Sequence, residues 1–144
     1  MLSRLLKSQI DISARLLVDF FTANAKKRVL DFPFRDTFPI NCCEGASLAF
    51  HYLIEAKYGI TNSYLQMGQN EQTARHIWVI VGDFYSYDLT AHQFDELGIT
   101  APIIGVMEHP LWTDHFSEPI AYRDHGHLTR RRVLNAYGKG RIPF

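Results

Sequence analysis

The 144-residue chain has room for one hydrophobic core, and its 47% hydrophobic and 21% charged residues are those of a globular protein. Fifteen basic and fifteen acidic residues cancel, so no whole-molecule field draws the chain to nucleic acid or to an anionic membrane. The two cysteines are adjacent and cannot staple distant segments; a vicinal bridge is strained, so a reducing, cytoplasmic setting is the simpler expectation.

Leu2, Leu5, Leu6, Leu16, Leu17, Phe20 and Phe21 recur at helical spacing and predict an amphipathic helix over about residues 2–25. Lys7, Asp11 and Arg15 interrupt the apolar run a signal peptide needs. No stretch approaches the ~20 residues of a membrane span. The polar face of this helix is not notably basic, so it is expected to pack on the domain and not on a lipid surface. A loop follows, punctuated by Pro33 and Pro39, in which Phe32, Phe34 and Phe38 are expected to cover core or line a cleft. A second helix is predicted over 43–58. It stops at Gly59, with Ala46, Leu48, Ala49, Leu53 and Ala56 as its apolar stripe.

Strands are predicted over 64–67, 76–81, 84–90 and 103–107, the middle two flanking the hairpin signal Gly82-Asp83. Beyond Pro110 the pattern is irregular until a short helix near 127–137. Its Arg130-Arg131-Arg132 run reads as a solvated face. The tail Gly138-Lys139-Gly140-Arg141 is expected to fray. Helices first and a strand meander later predict one α+β domain. It comprises an N-terminal helix at about 2–25, a core at about 38–107 and a C-terminal extension at about 108–144.

Three local strings carry chemistry: Asn41-Cys42-Cys43-Glu44-Gly45-Ala46-Ser47, Arg75-His76-Ile77-Trp78-Val79 and Tyr87-Asp88-Leu89-Thr90. A thiol, an imidazole and a carboxylate are the parts of a nucleophilic acyl-transfer site. A free thiol with a pKa near 8.5 is mostly protonated at neutral pH. A helix N-terminus supplies partial positive charge, an imidazole takes the proton, and a carboxylate orients the ring. Cys43 opens the second helix, and His76 and Asp88 lie on neighbouring strands. Period-2 alternation sets a condition. A two-residue Gly82-Asp83 turn would point Asp88 away from His76, whereas an odd loop of residues 81–83 would pair them, with Trp78 beside Ser86 and Ile80 beside Phe84.

Over about residues 38–94 the chain resembles the transglutaminase-like branch of the papain-type cysteine enzymes. The matching strings are Phe38-Pro39 before Cys43, Ala46-Ser47 after it, His76-Ile77-Trp78-Val79, and Asp88-Leu89-Thr90 with Gln93-Phe94 behind. The resemblance implies a papain-like core, with a Cys-bearing helix packed on an antiparallel sheet that carries His and Asp. It implies Cys43 as nucleophile, His76 as base and Asp88 as its orienter. The substrate implied is an amide bond in a peptide, an isopeptide or a glutamine side chain, and no cofactor is implied. The chain lacks the extra domains and calcium loops of animal transglutaminases. Arylamine N-acetyltransferases share the order of the three residues, but their Arg-Gly-Gly lead into the cysteine is missing.

Cys42 is expected to be structural. Trp78 is read as cleft wall or core, and Gln93 as a turn cap or a group beside the substrate. His92, His109, His115, His125 and His127 lack metal-ligand spacing, and no Cys-x-x-Cys accompanies them, so no metal is expected. Two other readings stay open. One is a catalytically dead domain that binds a protein through the aromatic loop between Phe32 and Phe38. The other is an effector or toxin of the same fold, exported without a classical signal peptide.

Overall fold

A computed structural model of the chain describes residues 2–27, 37–70, 74–82, 85–93, 106–107, 117–122 and 127–142. The first apolar pattern winds into helix α1 (Arg4–Lys27), which buries Ile10, Ala14, Leu17, Val18 and Phe21. Its apolar arc is wider than the contact it makes. Leu5 and Leu16, expected on the packed face, are exposed, and so is Ile12. Helix α2 (Cys43–Tyr58) has the predicted limits and ends where Gly59 adopts φ 65°. Only glycine enters that left-handed region without strain. Small residues on α2, Ala46, Ser47 and Ala49, are buried and let the helix approach the sheet.

The strands are β1 (Ser63–Asn70), β2 (Ala74–Val81), β3 (Tyr85–Tyr87), β4 (Val106–Met107) and β5 (Ser117–Ala121), followed by helix α3 (His127–Gly138). They form a five-stranded sheet in the order β4-β3-β2-β1-β5, with every pairing antiparallel. Helices and an antiparallel sheet make the chain α+β. Ile77, Val79, Val81 and Tyr87 join α1 and α2 in the core, together with Val133, Ala136 and Ile142. Among the described residues no helix is long and apolar enough to cross a membrane.

Four expectations need correction. The third strand stops at Tyr87, three residues short of the predicted end. There the Asp88 carboxylate accepts the Thr90 backbone N–H at 3.0 Å, and this local turn takes the chain out of the ladder. An odd number of residues separates the paired strand ends, as the catalytic reading demands, but Val81 is itself paired and does not belong to the loop. Val81 pairs with Tyr85, Ile80 with Ser86 and Val79 with Tyr87. The parity is kept and the pairing slides by two residues. The segment after Pro110 is not wholly irregular, because β5 adds an edge strand to β1. Pro119 hides it in the sequence, since proline is tolerated only where its missing N–H is not needed.

The tail does not fray. Gly140, at φ 66°, closes a cap in which Arg141 N donates to Ala136 O at 2.9 Å and Gly140 N to Tyr137 O at 3.0 Å, and Ile142 is buried behind it. Arg130, Arg131 and Arg132 are exposed, as a solvated face requires. Phe32, Phe34 and residues 103–105 of the predicted fourth strand lie outside the described residues.

Candidate active site

Cys43 is the first residue of α2, and its neighbour Cys42 is the N-cap without a side-chain capping bond. Asn41, at φ 59°, turns the chain into the helix, and Ala46 N donates to Cys42 O at 2.9 Å to start the helical ladder. The two thiols are placed differently. Cys42 is buried, and its Sγ lies 3.4 Å from Ile40 O; Cys43 is only partly buried. One turn further on, Ser47 Oγ donates to Ile77 O at 3.3 Å and holds α2 against β2.

Strand alternation separates Ile77, Val79 and Val81 from His76, Trp78 and Ile80, and Tyr87 from Asp88. The register of β2 on β3 puts His76 and Asp88 on one face, offset diagonally. A diagonal pair is within reach of an imidazole and a carboxylate, and His76 Nε2 meets Asp88 Oδ2 at 2.5 Å, with both side chains at most 3% exposed. On the other side β1 places Gly68 opposite His76, so no β1 side chain stands directly beside the ring. The Trp78 ring stacks on the imidazole at 5.7 Å and 28°. It is 2% exposed, so it walls the ring and does not face solvent.

The second carboxylate oxygen is also held. Asp88 Oδ1 accepts from Thr90 N at 3.0 Å and from Thr90 Oγ1 at 3.2 Å. A short turn over residues 91–93, closed by Gln93 N donating to Thr90 O at 3.0 Å, brings Gln93 back over the site. Its Nε2 donates to Thr90 Oγ1 at 3.1 Å and lies 3.5 Å from His76 Nδ1.

Burial works against a charged imidazole and by itself lowers its pKa. The Asp88 carboxylate, through charge and hydrogen bond, outweighs that penalty, and a hydrogen bond and charge interaction with Cys43 add to it. His76 is raised from 6.5 to about 9. The ring is therefore an imidazolium at neutral pH. Its Nε2 is taken by Asp88, so the Cys43 bond falls to Nδ1. Cys43, His76 and Asp88 are thus brought together in the order thiol, ring, carboxylate.

Sequence reasoning missed Thr90 as the anchor of Asp88. The Asp-x-Thr spacing is a turn signal and could have shown it. It also missed a flanking cluster. Tyr122 donates to Glu44 Oε2 at 2.8 Å, and Arg75 lies 3.5 Å from the same oxygen and over the Tyr122 ring. No sequence signal links residues 44, 75 and 122. Among the described residues no group of three or more His, Cys, Asp or Glu can hold a metal ion. His109, His115 and His125 lie outside those residues. Compared with protein-family models, curated proteins and solved structures, the chain matches none.

Proposed function

We propose that the chain is a cysteine-dependent hydrolase or acyltransferase with a papain-like, transglutaminase-like core. One observation carries this reading. A buried imidazole is gripped at Nε2 by Asp88 and faces the thiol at the start of α2 with its other nitrogen. A buried imidazolium with a buried carboxylate is costly to assemble, and a structural role does not need a partly exposed cysteine beside it. The helix-borne cysteine and the strand-borne histidine are as the family resemblance implies, and the aspartate stands one residue past the end of the next antiparallel strand.

The thiol proton resides on His76 Nδ1, and Cys43 Sγ attacks the acyl carbon of an amide in a peptide, an isopeptide or a glutamine side chain. The carbonyl π pair moves to oxygen. On collapse it returns, the C–N bond breaks, and the leaving amine takes the Nδ1 proton. Water then attacks the thioester, gives a proton back to Nδ1, and expels the Cys43 sulfur from a carboxylic acid product. An amine in place of water makes the reaction a transfer. Asp88 keeps the ring oriented and balances its charge throughout.

The test is acylation by p-nitrophenyl acetate, read as a p-nitrophenolate burst and a thioester mapped by mass spectrometry. The reading expects a burst approaching one equivalent, carried on Cys43 and absent from Cys43→Ala and His76→Ala. A folded wild-type protein that shows no acyl group on Cys43 overturns it.

A further inference from the structure

Helix α1 keeps an apolar stripe that the domain does not cover. Leu5 is 71% exposed, Ile12 57% and Leu16 47%. At 3.6 residues per turn the three side chains fall within about 40° of one another around the helix axis. They lie on the side away from Ile10, Leu17 and Phe21, which join the core. A single exposed leucine is ordinary on a protein surface, but an aligned stripe on one helix marks a contact face.

The charges beside the stripe are mostly of one sign. Over the predicted residues 2–25 the cations nearly balance the acids, but the helix runs on to Lys27 and adds Lys26 and Lys27. Asp11 is turned to other work: it lies 2.8 Å from Lys7 and accepts from the Tyr87 hydroxyl. The exposed charges of α1 are then Arg4, Arg15, Lys26 and Lys27 against Asp19 alone. None of these five is held in an ion pair with the described residues. Arg4, Arg15 and Lys26 project within about 40° of one another along one flank of the stripe.

We infer that the exposed face of α1 is a membrane-contact surface. It lays Leu5, Ile12 and Leu16 among the acyl chains of a bilayer with anionic headgroups, while Arg4, Arg15 and Lys26 meet the lipid phosphates. The long stems of arginine and lysine keep their charges at headgroup level beside an inserted aliphatic stripe. With its other side packed in the core, α1 lies along the surface and does not cross it. The charges decide against a second copy of the chain. Antiparallel helices set like flanks together and would bring cations against cations; parallel helices would stack Asp19 on Asp19. The stripe also lacks the aromatic anchors that protein interfaces favour, and a fluid bilayer asks for no matching shape.

Sedimentation of the full chain with lipid vesicles tests this. Wild type is expected to bind phosphatidylcholine vesicles holding about 30% phosphatidylglycerol at least about tenfold more tightly than pure phosphatidylcholine, and to lose that preference at about 0.5 M salt. Ile12→Glu, at an exposed position, is expected to keep the melting temperature and the rate of Cys43 alkylation by iodoacetamide. It is expected to weaken vesicle binding at least about tenfold. Arg15→Gln is expected to weaken binding about fivefold and Asp19→Asn to tighten it about fivefold, one charge each. A folded wild-type protein that ignores the anionic vesicles at low salt overturns the inference and leaves an acidic protein partner as the occupant that fits. Vesicle binding unchanged in Ile12→Glu overturns it too, because the lipid would then be held elsewhere. Concentration-dependent dimers that Ile12→Glu abolishes, without vesicle binding, would overturn it in favour of a second copy.

Discussion

Cys42 is 3% exposed and its Sγ lies 3.4 Å from Ile40 O, whereas Cys43 is partly exposed and interacts with a charged imidazole. Exposure and a neighbouring cation are what make a thiol reactive. Site-mapped alkylation near pH 7 should therefore modify Cys43 at least about tenfold faster than Cys42. Faster loss of Cys42 would move the nucleophile by one residue. The charge state of His76 gives a second expectation. Its folded pKa of about 9 lies above the ordinary 6.5, so folding tightens its proton. The stabilisation this gives is full below pH 6.5 and is lost as pH rises through 9. The rate of acylation by an amide, whose leaving amine takes its proton from the imidazolium, should fall on the alkaline side near pH 9. Asp88→Asn removes the charge that offsets burial, so that limb should move to lower pH. An alkaline limb unmoved in Asp88→Asn would take the carboxylate out of the mechanism.

Helix α1 is tied to the sheet by a polar bridge, which can be removed without touching the site. Tyr87 donates to Asp11 Oδ1 at 2.5 Å, and Lys7 Nζ lies 2.8 Å from both Asp11 oxygens and over the Tyr85 and Tyr87 rings. Tyr87→Phe keeps the buried ring and leaves Asp11 its lysine. It should cost about 1–3 kcal/mol in urea melts and leave the rate of Cys43 alkylation unchanged. A large loss of that rate would mean that the neighbouring Asp88 depends on the Tyr87 hydroxyl. The elements themselves were unequally legible. Both long helices followed from period and from Gly59, because 3.6-residue spacing repeats over many residues. The end of β3 did not, because side-chain capping by Asp88 overrides the β-branched and aromatic run around it. β5 carries Pro119 in its middle, and its partner β1 is distant in the chain, so no local pattern announces it. Gly140 reads as part of a fraying tail from Gly138 because a glycine ends a helix whether or not a cap closes behind it.

Across the molecule, the candidate site exists only because α2 and β2 lie at one separation. Residue types and chain order made Cys43, His76 and Asp88 legible, and strand parity demanded an odd loop. The residue at which that loop begins, and the diagonal offset it creates, were set by side chains packing on both faces of β2. Local spacing does not encode that packing. Ser47 is the contact that reports the separation. It is buried one turn after Cys43, and its hydroxyl reaches the carbonyl of Ile77, the residue next to His76. Ser47→Ala loses one hydrogen bond and should cost about 0.5–1.5 kcal/mol, with Cys43 alkylation near the wild-type rate. Ser47→Leu forces three extra carbons between helix and strand and should cost about 1–3 kcal/mol by overpacking. It should also draw Cys43 away from the ring, leaving a thiol without its cation. The measurement is the rate of Cys43 alkylation near pH 7 in the folded variants. Wild type and Ser47→Ala should react at similar rates, and Ser47→Leu should react at least about tenfold more slowly. A Ser47→Leu protein that melts low but keeps the wild-type rate would mean that the thiol and the ring are held together by something other than the spacing of α2 on β2.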